Sequence, residues 1–336
     1  QAAARIEGSK VFAKKLMRRY GIPTAACEIF CDAELALRYT RIAPLPMVVK
    51  ADGLALGKGV VICHTRAEAE EAVRDMMERG KFGASGSRVV VEEFLEGPEV
   101  SVLAFTDGVS LKWLAPGMDH KRALDGDRGL NTGGMGVIAP NPCFTPDVAE
   151  ECMRSIFLPT LAAMRAEDCP FEGCLYFGLM LTENGPKVIE YNCRFGDPEA
   201  QAVLPLLEGD LFAILQSVTG HTLADMPVRV KPGASCCVVL ASKGYPGTYE
   251  TGYEITIDEP DQTRRVQIFQ AGTKCDQERL VTSGGRVLGV TALGKNAREA
   301  QRAAYDAVKR VRFENAFYRR DIGERAILCA GGKAKS

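Results

Sequence analysis

Four short stretches of this 336-residue sequence carry side chains suited to a polyphosphate and a metal ion. In "VIEYNCRFGDPEAQ", residues 188–201, the period of two of a strand puts Ile189 and Tyr191 on one face and Glu190 with Asn192 on the other. A carboxylate and an amide carbonyl on one face suit Mg²⁺, which takes such oxygens and keeps several waters. Arg194 comes next and can hold a carboxylate or phosphate bidentately. Asp197, Pro198 and Glu199 crowd the turn behind it. A surface strand end of mixed charge is the plainer reading of the same residues.

In "VVKADGLALGKGV", residues 48–60, an apolar strand ends in Lys50, and a loop with Gly53, Gly57 and Gly59 carries Lys58. Glycines let backbone N–H groups approach an anion, and the two lysines add charge. The spacing is not that of a P-loop, and the loop feeds a strand rather than a helix N-terminus. A glycine-rich hairpin with solvated lysines would read the same way. "VVVEEFLEGPEVS", residues 89–101, runs a strand into Glu92, Glu93, Phe94 and Leu95, with Glu99 after a Gly-Pro turn. An extended backbone there can meet the edge of a flat base, and Glu99 can accept from ribose hydroxyls. An edge strand ending in exposed acids is the bland alternative. "GLNTGGMG", residues 129–136, is loop chemistry able to wrap a ligand, and "DHKR", residues 119–122, supplies nearby cations.

These residues need a scaffold. The pattern predicts a helix over about 9–20, with Ser9 as N-cap, basic residues in the last turn, and Gly21 and Pro23 as the stop. Residues 23–93 read as strand, glycine loop, strand, helix, strand: a small α/β lobe. The next block, to about 225, holds strands at 99–107 and 111–116, a long irregular segment at 117–136, and a helix over about 146–167. "CLYFGLMLT" and "KVIEYN" form a hairpin joined by "ENGP", and another helix comes after it. Residues 226–233, "MPVRVKPG", read as a linker to a smaller α+β block with short strands and one clear helix, "NAREAQRAAYDAVKRV".

Composition sets the outer bounds. A hydrophobic share of 46% and a charged share of 25% are ordinary for a folded globular chain. A formal net charge of −1 gives no hint of a nucleic-acid or membrane surface, either of which usually shows as a basic excess. No apolar run approaches the ~18 residues of a transmembrane helix, and "QAAARIEGSK" has no signal-peptide core. The 12 cysteines are scattered through apolar segments and only three histidines occur, which argues against a zinc site and for buried thiols in a reducing, cytoplasmic setting.

Read in order, these features resemble the ATP-grasp fold, in which two α+β lobes hold ATP and Mg²⁺ between them. The resemblance is closer still to the phosphoribosylamine–glycine ligase (glycinamide ribonucleotide synthetase) family. It is carried by "RFGDPEAQ" (194–201), "EGSKVFAKKLMRRYGIPTA", "KADGLALGKGV", "NTGGMG", "KGYPGTYETG" and "TSGGRVLGVTALG", which together span the chain. The implied fold class is α+β: a lead-in helix (1–22), a small ATP-grasp lobe (23–93), a large lobe (94–228) and a C-terminal α+β domain (232–330).

The implied activity is ATP-dependent joining of 5-phosphoribosylamine to glycine through a glycyl phosphate, in purine biosynthesis. ATP and Mg²⁺ (or Mn²⁺) are the implied cofactors. By the same resemblance Lys50, Gly57, Lys58 and Gly59 meet the phosphates, Glu92, Glu93 and Leu95 the adenine, Glu99 the ribose, and Glu190 with Asn192 the metal. Lys121, Asn131, Thr132, Gly133, Arg194, Asp197, Pro198 and Glu199 line the site for glycine and phosphoribosylamine, with Arg194 and Lys58 as catalytic groups. Members of the family usually carry a further N-terminal nucleotide-fold domain, so the resemblance implies a separate or fused N-terminal lobe as a partner. An ATP-binding piece inactive without that lobe is the alternative expectation. Another ATP-grasp ligase, such as a biotin-dependent carboxylase, is a second, but it would want an acid on the first hairpin strand, which here reads Leu179, Met180, Leu181. Gln270 stands where similar enzymes commonly have His.

Overall fold

The lead-in helix sets how the two lobes meet. It runs Lys10–Tyr20; Ser9 caps it, its Oγ accepting from Phe12 N at 3.1 Å, and Gly21 ends it in the left-handed region. Asp52, just beyond the strand Met47–Ala51, accepts from Ser9 Oγ at 2.8 Å and from Val11 N at 2.7 Å. A carboxylate at a helix N-terminus is favourable, and this one fixes the helix to the small lobe. Ala13, Leu16, Met17 and Ile22 meanwhile pack into the core of the large lobe with Val188 and Tyr191. The helix thus bridges both lobes. The computed structural model describes residues 1–54, 59–258 and 265–330.

The small lobe is a four-stranded antiparallel sheet ordered Cys27–Phe30, Val89–Glu93, Met47–Ala51, Val60–Cys63. The helices Ala33–Thr40 and Arg66–Val73 cover one face; the first of these, capped by Asp32, does not stand out in the sequence pattern. The large lobe is a second antiparallel sheet, Gly185–Asn192, Glu172–Thr182, Glu99–Asp107, Leu111–Trp113, and its hairpin matches the expected one. The expected helix over 146–167 is continuous but passes through a π-turn at Met153–Phe157. Pro159 lies two residues beyond it, in the first turn of Leu158–Ala166, and a widened turn accommodates a residue that lacks an N–H and crowds the preceding carbonyls.

Two expectations are corrected. The segment 117–136 is not irregular: it holds the short strands Met118–Asp119, Arg122–Leu124 and Arg128–Asn131, and Gly136–Ala139 comes next. Strands of two to four residues show no period, although the "DG" at 125–126 is a turn signal that marks the hairpin. The 226–233 linker is not a structural break either. Arg229–Val230 pairs with Leu207–Glu208, and the C-terminal sheet runs Val266–Gln270, Arg286–Gly294, Ala234–Ser242, Gly136–Ala139, Met118–Asp119. Its last two strands come from the preceding block, so the C-terminal unit is hydrogen-bonded into the large lobe. The helix Ala297–Val308 packs on this sheet as expected.

Candidate functional site

A cleft of about 780 Å³ opens between the small-lobe sheet, the lead-in helix and the late hairpin. Lys50, Gly59, Glu92, Glu93, Leu95, Glu99, Lys121, Asn131, Thr132, Gly133, Glu190, Asn192, Arg194, Asp197 and Glu199 all line it. Residues as distant in sequence as 50 and 199 therefore do converge. Gly57 and Lys58, assigned to the phosphates, lie outside the described residues.

The nucleotide side has more lysines than the motif reading named. Lys10 and Lys14, one helical turn apart and so on one face, also line the cleft. Lys10 donates to Gly53 O at 3.1 Å. Lys14 reaches Thr24 Oγ1 at 2.7 Å and Glu92 Oε2 at 3.1 Å, and Lys50 meets the same Glu92 oxygen at 2.9 Å. Burial pulls the Lys10 and Lys14 ammonium groups below their ordinary range, against the attraction of nearby carboxylates. Glu92, expected at the adenine, is buried with its carboxylate taken by two lysines, and its Oε1 has no donor among the described residues. Glu93 is likewise engaged, accepting from Lys187 Nζ at 2.8 Å and Ala26 N at 3.0 Å. The part of this strand left for a base is the wall at Phe94 and Leu95.

At the hairpin the expected alternation is corrected in a telling way. Gly178 pairs with Glu190 but Leu179 pairs with Val188, so Ile189 is an extra residue in a β-bulge. Val188 and Tyr191, three apart, both point into the core, whereas Ile189 turns to the cleft beside Glu190 and Asn192. Bulges re-aim side chains in this manner. The Ile189 carbonyl accepts from Lys50 Nζ at 3.3 Å, tying the strand that carries Glu190 and Asn192 to the small lobe. Burial works to raise the Glu190 carboxyl, but Lys121, Lys50 and Lys10, with a hydrogen bond from Asn192, outweigh it and hold the group below the usual range. An ionised carboxylate and an amide oxygen on one rigid strand fit a hard divalent cation. Met180, on the facing strand, lines the cleft as Glu190 does.

The far side of the cleft is built on the turn 194–199. Arg194 lies 3.4 Å from Glu7 and donates to Phe195 O at 2.9 Å and Asn192 Oδ1 at 3.4 Å. Asp197 pairs with Arg286 at 3.2 Å and accepts from Gln201 at 2.9 Å. Pro198, after a cis peptide bond, does not line the cleft but sits behind it against Gly134. Glu199 is buried and accepts from Ser101 Oγ at 3.2 Å, and burial raises its carboxyl. Burial, then the nearby Glu199 charge, raises the Asp119 carboxyl well above its ordinary value.

Lys121 lies 3.3 Å from Glu99 and 3.9 Å from Glu190; Glu99 foremost holds its ammonium well above the ordinary value. Thr132 spends its hydroxyl within its own loop, donating to Lys121 O at 2.8 Å and accepting from Gly134 N at 3.0 Å. Gln270 is exposed, accepts from Thr273 Oγ1 at 3.1 Å and does not line the cleft. Lys10, Lys14, Asp119, Tyr176 and Arg286 are cleft residues that the motif reading missed. Only the lysine pair left a signal, in its spacing of four.

The chain is similar to known proteins over nearly its whole length. Residues 8–200 match the model of the phosphoribosylglycinamide synthetase ATP-grasp (A) domain, and residues 235–325 that of the phosphoribosylglycinamide synthetase C domain. The chain is 49% identical over 332 residues to a phosphoribosylamine–glycine ligase of Allochromatium vinosum, covering 97% of this chain and 77% of that one. It is 47% identical to the trifunctional purine biosynthetic protein adenosine-3 of Gallus gallus, covering 97% of this chain and 33% of that longer, fused one. A solved phosphoribosylamine–glycine ligase from Thermotoga maritima superposes with a TM-score of 0.88 at 40% identity, over 95% of this chain and 80% of the other.

Proposed function

The chain belongs to the phosphoribosylglycinamide synthetase family of ATP-grasp ligases, and from that premise we propose that it joins 5-phosphoribosylamine to glycine. ATP is converted to ADP and phosphate, the step belonging to purine biosynthesis. The observation that carries this reading is the join at Ile189: the bulge that presents Glu190 and Asn192 also hands its carbonyl to Lys50.

The chemistry asks for what these residues offer. A carboxylate is a poor electrophile, so its oxygen first takes the γ-phosphoryl group, ADP leaves, and a glycyl phosphate results. The amine of phosphoribosylamine then attacks the acyl carbon, and phosphate leaves with the amine giving up a proton. Phosphoryl transfer is catalysed chiefly by positioning and charge neutralisation. Lys10 and Lys50 neutralise the polyphosphate, and Phe94 and Leu95 face the base. Glu190 and Asn192 would hold the divalent cation, Mg²⁺ or Mn²⁺, which neutralises phosphate charge when bound. Arg194, beside Asn192, steadies the glycine carboxylate or the transferring phosphoryl group. Asp119 and Glu199, buried acids on the far wall, suit the amine end of the site. All twelve cysteines are free thiols, which fits a reducing cytoplasm, and none is needed as a nucleophile.

The test is ADP release from ATP with glycine and phosphoribosylamine supplied together and singly. Sustained ADP release that requires both glycine and phosphoribosylamine supports the ligase. Tight ATP binding with no ADP under any combination would make the chain a nucleotide-binding module instead.

A further inference from the structure

Arg286 belongs to the C-terminal sheet, yet its guanidinium lies in the cleft wall. The register of its strand against Ala234–Ser242 slips by one residue there: Leu240 pairs with Leu288, but Ala241 pairs with Arg286. Without the slip Arg286 would share the face of Leu288, which is buried in the C-terminal core. The bulge turns the side chain toward the cleft instead. Its Nη1 donates to Gly133 O at 3.0 Å and Asp197 O at 2.7 Å, and its Nη2 to Asp197 Oδ2 at 3.2 Å. The other side of the Gly133 residue is held by the same unit, since Gly133 N donates to Tyr245 Oη at 3.0 Å. The contact is close: a β-carbon on Gly133 would lie 2.9 Å from the guanidinium carbon.

We infer that Arg286 is a positioning residue for the ligase reaction, clamping the Gly133 loop to the Asp197 turn so that the C-terminal sheet shapes the acceptor half of the cleft. The inference rests on the proposed ligase activity. Among the described residues Arg286 makes no hydrogen bond or ion pair with Lys10, Lys14, Lys50, Phe94 or Leu95, so its effect falls on one half of the site. The planar fork of arginine matches two carbonyls and a carboxylate together, and lysine, as a point charge, cannot span all three.

Steady-state kinetics of the full chain with ATP, glycine and phosphoribosylamine test this. In Arg286→Gln, kcat/KM for the acceptor substrates should fall about a hundredfold, as expected for a small misplacement of reacting groups, while the KM for ATP stays within about threefold. Gly133→Ala, which displaces the guanidinium without removing it, should give the same signature. Arg286→Ala should regain part of the lost rate when guanidinium ion is added, a readout that simple loss of stability would not move. The inference is overturned if Arg286→Gln raises the KM values for ATP and both acceptors equally, if it changes none of them, or if Gly133→Ala behaves as wild type. If Arg286→Gln does not fold, the Gly133→Ala kinetics decide. If the wild-type chain itself releases no acceptor-dependent ADP, the ligase reading fails rather than the clamp.

Discussion

Replacing Glu92 by glutamine tests the lysine cradle most directly. The substitution keeps the shape of the side chain and removes the negative charge that Lys14 and Lys50 share at 3.1 and 2.9 Å. All three side chains are only 3 to 7% exposed, so water does little to screen the result. Removing one partner of a buried ion pair costs about 3–5 kcal/mol, and two lysines left side by side place this case in the upper part of that range.

The pH dependence comes from the same geometry. Burial already pulls Lys14 below its ordinary value, and Glu92 is the foremost group opposing it. With Glu92 gone the folded chain binds fewer protons there than the unfolded chain, so stability rises with pH between the lowered folded value and the ordinary lysine value of about 10.4. The destabilisation should be largest near pH 7, shrink toward about pH 9.5, and be partly offset by ATP, whose phosphates replace the missing anion. Urea denaturation of wild type and Glu92→Gln at the two pH values, with and without ATP, measures all three effects. A loss below about 1 kcal/mol, the range of an exposed ion pair, or a loss that does not change with pH, would refute the account of a charge-sharing cradle.

Three further outcomes are expected. Glu190→Gln should weaken Mn²⁺ binding, read by electron paramagnetic resonance of the titrated metal, and lower turnover by about a hundredfold or more; unchanged metal affinity would remove Glu190 from the metal site. Arg194→Ala should lower kcat by at least about tenfold while the dissociation constant for ATP stays within about twofold, whereas equal losses in both would point to a structural role. The third concerns His120, which accepts from Gly323 N at 3.2 Å on Nε2, so Nδ1 carries the proton and donates to Gly136 O at 3.2 Å. Burial, then the Arg319 charge, takes its pKa down to about 4. Because the unfolded chain gains that proton already near pH 6.5, stability should fall as pH drops from about 6.5 to 4, by roughly 3 kcal/mol at most from this residue. His120→Gln should flatten that acid slope in urea melts, and a slope equal to wild type would show that the proton is taken up elsewhere.

The sequence by itself determined the local devices. Ser9, Gly21 and Pro23 bounded the lead-in helix because caps and stops act within one turn. The apolar strands around Lys50 and Glu92, and the hairpin carrying Glu190 and Asn192, were legible because period and turn chemistry are local. The family motifs named most of the charged cleft residues for the same reason, being short runs of adjacent side chains.

Tertiary structure decided what depends on register and on which pieces meet. No periodicity reports an extra residue at Ile189 or a slip at Arg286, because a bulge is set by the partner strand. The commitment of Glu92 to two lysines rather than to a base depends on the lead-in helix lying against the small lobe. The C-terminal sheet borrows Gly136–Ala139 and Met118–Asp119 from the block before it, so a boundary drawn from composition alone falls inside a hydrogen-bonded unit. Sequence supplied the lysines, carboxylates and amides of the cleft; packing decided which of them face one another, since charge and hydrogen-bond energies depend on distances that only the folded chain sets.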